Sequence, residues 1–183
     1  MKILISAFSA PPQQNGVANV AWNHAIGLQR MGHQITFATT FDKQRHNHEN
    51  IHTINIEEFE IRGNSLKGYS GETNRYEKFI SEFDGDIICC HAWATWNVDH
   101  AVNVFEKMNV KAKKVFISHG SIQNHLRPSP RYWHNWLKWR PYLWFKMPKI
   151  MRLFDHVVFL SDRIDKDRFY DRMIADKINF KSL

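Results

Sequence analysis

Short apolar runs alternate along nearly the whole chain with longer segments whose apolar residues recur at helical spacing. Such alternation implies a parallel sheet whose crossover helices cover both faces. Strands are predicted at Lys2–Phe8, Gln34–Thr39, His52–Ile56, Asp86–Cys90, Lys114–Ser118 and His156–Leu160. Between Val17 and Met31 the residues Val17, Val20, Ala21, Ala25 and Leu28 share one helical face, with Asn15 as a cap and Gly32 as a stop. Further helices are predicted over Glu72–Phe83, Asn97–Met108 and Arg163–Met173. Residues 62–71 hold three glycines and read as a mobile loop.

With 183 residues, 43% of them apolar, the chain forms one domain with a real core. The reading is therefore a single α/β, Rossmann-like domain over 1–183, without internal repeats. Cys89 and Cys90 are neighbours on a strand and point to opposite faces, so they do not pair with each other. That usage fits a reducing, cytoplasmic setting. The start, Met1-Lys2-Ile3-Leu4-Ile5, reads as a first strand rather than a signal peptide, and no apolar run reaches membrane-spanning length.

Charge is unevenly placed. Residues 127–154 contain Arg127, Arg131, Lys138, Arg140, Lys146, Lys149 and Arg152 and no acid, while the other 18 basic residues match the 18 acids. The same segment carries Tyr132, Trp133, Trp136, Trp139, Tyr142, Trp144, Phe145 and Phe154. Pro141 and Pro148 divide it into two short helices, and Trp136, Trp139 and Leu143 can share a face. Three readings stay open. The aromatics pack on the sheet, or Trp133, Trp136, Trp139 and Trp144 with Arg131, Lys138, Arg140 and Lys146 meet an anionic membrane surface, or the segment tracks a nucleic-acid strand. The last is the least favoured.

Open parallel sheets bind ligands beyond the carboxyl ends of their strands. The polar residues at those ends are Ser9 and the loop to Asn15 and Gly16, then His91 and Trp93, then His119 and Gly120, then Ser161. The first loop leads into a helix N-terminus suited to an anion, although its single glycine is not a dinucleotide fingerprint. A histidine at a strand end can hydrogen-bond a sugar hydroxyl. His46, His48 and His52 lie in a polar loop without a supporting cysteine or acid cluster, so no metal site is expected.

Four stretches together resemble the N-terminal domain of family 4 glycosyltransferases, which have two-Rossmann GT-B architecture. These are Asn15-Gly16-Val17-Ala18 with Gly32-His33-Gln34-Ile35, then Asp86 to His91, then Val115-Phe116-Ile117-Ser118-His119-Gly120, and Phe154-Asp155-His156-Val157-Val158-Phe159-Leu160-Ser161. Asn15 stands where the family commonly has a first glycine. The resemblance implies transfer of a sugar from a nucleotide-sugar donor to a glycan or lipid-linked acceptor. It also implies retention at the anomeric carbon, no cofactor, and a place at the inner face of the membrane. It puts His119 beside the transferred sugar as the catalytic-site histidine, Asn15 and Gly16 near donor phosphates or acceptor, and His91, Trp93, Gly120 and Ser161 along the same wall. It further implies a donor-binding second domain, which 1–183 does not contain, so this half is expected to be inactive unless a separate donor-domain polypeptide completes it. The rival reading is a non-catalytic membrane-docking or partner-completing module.

Overall fold

The structure is a computed structural model that describes residues 1–45, 54–120, 133–160 and 170–180, with the side chains of Asn135 and Trp136 outside that description. Its centre is a sheet of β1 (Lys2–Ser6), β2 (Gln34–Thr40), β3 (Asn55–Phe59), β6 (Ile87–His91), β7 (Lys113–Ser118) and β8 (His156–Phe159). Every neighbouring pair is parallel, and the spatial order is β3-β2-β1-β6-β7-β8. This is the doubly wound Rossmann order, whose direction of travel reverses between β1 and β6. The chain folds as one Rossmann-like α/β domain.

Strand alternation sends neighbouring residues to different cores. Ile3, Ile5, Phe37, Cys89 and Ile117 pack under α1 (Gly16–Arg30), where Ala21 and Ala25 let the helix approach closely and Trp22 meets Phe37 edge-on at 5.4 Å. Leu4, Ala38, Ile88, Cys90, Phe116 and Val157 pack on the other face with α2 (Thr73–Ser81), α3 (Trp96–Lys107), α5 (Met147–Leu153) and α6 (Tyr170–Lys177). Cys89 and Cys90 thus lie in different cores, buried and unpaired. Phe37, Phe59, Tyr76 and Phe116 are among the largest fully buried side chains, each contributing roughly 1.5–3 kcal/mol by leaving water.

Several expectations need correction. Residues 62–71 are largely an antiparallel hairpin, β4 (Ile61–Asn64) with β5 (Gly68–Gly71), rather than a loop. Its glycines serve cross-strand proximity: a Cβ at Gly63 would stand 2.1 Å from the Gly68 carbonyl oxygen, and one at Gly71 1.9 Å from that of Glu60. The third strand runs Asn55–Phe59, later than His52–Ile56, because Phe59 is the anchor that packs edge-on to Tyr76 at 5.2 Å. The first strand ends at Ser6 instead of Phe8. The last helix is described over Tyr170–Lys177 and so runs past the expected end at Met173, while the expected start at Arg163 falls in residues 161–169, outside the described residues. The basic aromatic segment forms α4 (Trp133–Pro141) and α5, joined without a break by a π-helical turn, Tyr142–Lys146. Pro141 closes α4, and Pro148 sits in the first turn of α5, directly after the π-helical turn.

Candidate functional site

The carboxyl ends of β1, β6 and β7 open onto a cavity of about 410 Å³. Phe8 and Val17 line it from the β1–α1 side, Ala92 to Thr95 from the end of β6, and His119 with Gly120 from the end of β7. Asn64, Leu66 and Lys67 of the hairpin region form another wall, and Trp139, Tyr142, Leu143 and Met147 of the basic aromatic segment close the rest. The lining is dominated by carbon, with a few polar groups placed at its margins, as in small-molecule sites.

Each wall is held for a physical reason. After β6 the chain turns through Ala92 and Ala94, both in the left-handed region with φ of 69° and 58°. Left-handed alanines cost about 1 kcal/mol or more each. Hydrogen bonds hold the turn: Ala92 N–H donates to Ile117 O at 3.1 Å, Thr95 Oγ1 to Ala92 O at 3.1 Å, and Ala94 N–H to Tyr142 Oη at 2.9 Å. The turn aims Trp93 inward, where its indole N–H donates to Ser118 Oγ and Asp171 Oδ2, both at 3.0 Å. Asp171 is fully buried and also accepts from the Ser118 hydroxyl, so α6 is tied to the ends of β6 and β7. The hairpin is fixed by Asp99 on α3. Its carboxylate accepts from Ser65 Oγ and from Tyr69 Oη at 2.9 Å, and pairs with Lys146 Nζ at 3.1 Å.

His119 and His91 form one unit. His91 Nδ1 lies 3.0 Å from His119 Nε2, and the His24 ring of α1 stands 5.5 Å from His91. Burial, then the neighbouring His24, pushes the His119 pKa down to about 4. Burial first, then the adjacent imidazoles, pushes His91 well below the usual histidine range. Both rings are neutral at pH 7, so His119 acts through hydrogen bonding and dipole rather than as a fixed cation.

The residues singled out in the sequence divide accordingly. His119, Gly120 and Trp93 line the cavity. His91 is not among the residues that line it: it is fully buried beneath His119, packed between the sheet and α1. Asn15 is occupied as the helix cap, accepting from Ala18 N–H at 2.9 Å while its amide donates to Ser9 Oγ at 3.0 Å. Gly16 is exposed, next to the cavity residue Val17, and a Cβ there would meet nothing within 4 Å. Ser161 and Arg131 lie outside the described residues, as do His46, His48 and His52 and the Trp136 side chain. Of the other surface candidates, Trp139 turns inward to the cavity and Lys146 is engaged by Asp99. Trp133 and Trp144 remain exposed beside the exposed Lys138 and Arg140, and the Arg140 guanidinium lies 5.4 Å from the Trp144 ring centroid. Sequence reasoning missed Phe8, Asn64, Leu66, Lys67, Thr95, Tyr142 and Met147; only the Trp139–Leu143 helical spacing hinted at this wall.

The strand order and the cavity at the switch edge define a Rossmann-like domain with an opening where such sheets bind ligands. Comparison sharpens this. The sequence matches Glycosyltransferase Family 4 over residues 14–167. No match was found among curated proteins. MurG from Acinetobacter baumannii superposes with a TM-score of 0.53 at 11% identity, covering 87% of this chain and 41% of that one. An alpha-glucosyltransferase solved with UDP-glucose and DNA containing an abasic site superposes with a TM-score of 0.53 at 13% identity, covering 88% of this chain and 36% of that one. The chain therefore spans less than half the length of either. It belongs to Glycosyltransferase Family 4.

Proposed function

We propose that residues 1–183 form the acceptor-side half of a glycosyltransferase that moves a sugar from a nucleotide-sugar donor to a glycan or lipid-linked acceptor, with retention at the anomeric carbon. The observation that carries this reading is the cavity of about 410 Å³ beside His119 at the sheet's switch edge, in a chain of this family. The mostly apolar lining, to which Phe8, Leu66, Trp93, Trp139, Leu143 and Met147 contribute, favours the lipid-linked acceptor over a bare glycan. His119, neutral at pH 7, hydrogen-bonds the transferred sugar or the attacking hydroxyl. No cofactor takes part. Stabilisation of the leaving phosphate falls to groups outside residues 1–183, on a donor-binding unit of the same or a separate polypeptide. The coverage of 41% and 36% of the two similar structures agrees with that division.

The chain works in the cytoplasm, at the inner membrane face. Trp133, Leu137, Trp144 and Phe145 are exposed, and the cations around them match an anionic surface. No helix among the described residues is long and apolar enough to cross a membrane. The test is sugar transfer from a panel of radiolabelled nucleotide sugars to prenyl-phosphate-linked and free glycans, using the chain alone and with a donor-domain polypeptide. Transfer to the lipid-linked acceptor that needs the second polypeptide and is lost in His119→Ala supports the proposal. Turnover by the chain alone overturns the division of labour, and turnover unaffected by His119→Ala overturns the site.

A further inference from the structure

His91 is a fully buried histidine, and each of its ring nitrogens has a partner. Nδ1 lies 3.0 Å from His119 Nε2, and Nε2 lies 3.8 Å from Cys89 Sγ. Cys89 precedes His91 by two residues on β6, so strand geometry puts both side chains on the α1 face of the sheet. His119 follows Ile117, a residue of the core on that face, by the same spacing. Three groups from two adjacent strand ends therefore form one line from the core to the cavity.

We propose that Cys89 and His91 are positioning residues that fix the tautomer of His119, so that its ring offers an Nδ1–H donor to a substrate oxygen in the cavity. The inference rests on the glycosyl-transfer reading for what the donor meets, but the tautomer itself is a property of this chain. A neutral imidazole donates from one nitrogen and accepts at the other. With both rings neutral, one choice of direction therefore sets the whole line. Running outward, the Cys89 thiol donates to His91 Nε2, and His91 Nδ1–H donates to His119 Nε2. His119 must then carry its proton on Nδ1. Running inward, His119 Nε2–H would donate to His91 Nδ1, His91 Nε2–H would be spent on sulfur, a weak acceptor, and the Cys89 thiol proton would have no place in the line. Burial pushes the Cys89 thiol up to about 12, so it keeps its proton at neutral pH and has one to donate. Among the described residues, the titratable group facing the line from a packed element is the His24 imidazole of α1, while the second thiol, Cys90, points into the opposite core. Among the described residues no carboxylate acts on either ring. His119 Nε2 is taken up by His91, which leaves Nδ1 for the ligand.

The test reads ring-nitrogen shifts by long-range proton–nitrogen correlation in the full 15N-labelled chain at pH 7.5, with no donor or acceptor added. Wild-type His119 is expected in the Nδ1–H form, opposite to the Nε2–H form that a free neutral histidine favours. His91→Phe keeps an aromatic ring in the core and removes the link; His119 is expected to revert to the Nε2–H form. Cys89→Ala is expected to give a mixture of the two forms, and Cys89→Ser, which restores a hydroxyl donor, to return the wild-type form. The cysteine pair decides the matter should His91→Phe fail to fold. Wild-type His119 in the Nε2–H form overturns the proposal. So does an Nδ1–H form that persists unchanged in Cys89→Ala. Because no turnover is measured, a wild-type result of either kind stands whether or not the chain proves to transfer sugar.

Discussion

Asp99 is the residue whose loss should open the cavity without unfolding the sheet. It is almost fully buried, and it holds the hairpin through Ser65 and Tyr69 and the π-helical turn through Lys146 at 3.1 Å. Removing one partner of a buried ion pair costs about 3–5 kcal/mol when the other is stranded. Here the Lys146 side chain is 43% exposed and can turn to water, so the lower figure of about 2–3 kcal/mol applies to Asp99→Ala. Asp99→Asn keeps an acceptor for the two hydroxyls and should cost about 1 kcal/mol. The hairpin joins no strand of the main sheet, so the loss should appear there first. Amide exchange within residues 61–71 should quicken roughly 30- to 150-fold in Asp99→Ala, with β1 and β6 unchanged. Hydrogen exchange read by mass spectrometry resolves the two regions. Equal loss of protection in hairpin and sheet, or none in the hairpin, would refute the assignment of Asp99 as its anchor.

Other outcomes follow from the same geometry. Stability should fall as pH drops from about 6.5 towards about 4, because the unfolded chain takes up protons that folded His119, His91 and His24 refuse; the His119 share, discounted for the ring's partial exposure, amounts to roughly 1–2 kcal/mol, and His119→Gln should lessen that slope in a urea-midpoint profile without abolishing it. Asn15→Ala removes a helix cap and should cost about 1 kcal/mol by urea denaturation. Gly16→Ala meets no atom within 4 Å and needs no unusual backbone, so its stability should stay within about 0.5 kcal/mol of wild type by the same measurement. The Trp133→Ala, Trp144→Ala, Phe145→Ala triple variant should lose sedimentation with anionic vesicles while its melting temperature is kept; equal binding of wild type to neutral and anionic vesicles would contradict the electrostatic part.

Much of the fold is written in local pattern. The run from Lys2 and the helical face of Val17, Ala21 and Ala25 locate β1 and α1, and the adjacent cysteines divide between the two cores as strand alternation requires. The hairpin was hidden because Gly63 and Gly71, which permit close strand approach, carry the same local signal as a loop. His119 was legible as a strand end pointing at the switch edge. The burial of His91 was not, since a histidine one residue past an apolar run reads alike whether a helix covers it or not. Nor does a sequence reveal Ala92 and Ala94 in left-handed conformations, because alanine has no preference for them. The wall from Tyr142, Leu143 and Met147 depends on how the 133–153 helical segment lies across the sheet, a tertiary choice that helical periodicity alone does not make.

The central claim is that the ligand of this domain sits beside His119 at the carboxyl edge of β1, β6 and β7. Backbone and indole shifts of the 15N-labelled chain, titrated with an alkyl glycoside below its micelle threshold and with the same sugar lacking the alkyl chain, measure this directly. The account predicts shifts confined to Phe8, Trp93, Gly120, Trp139 and their neighbours, and tighter binding of the alkylated sugar. Shifts gathered on the outer face of α1, or equal affinity for the two ligands, would contradict it.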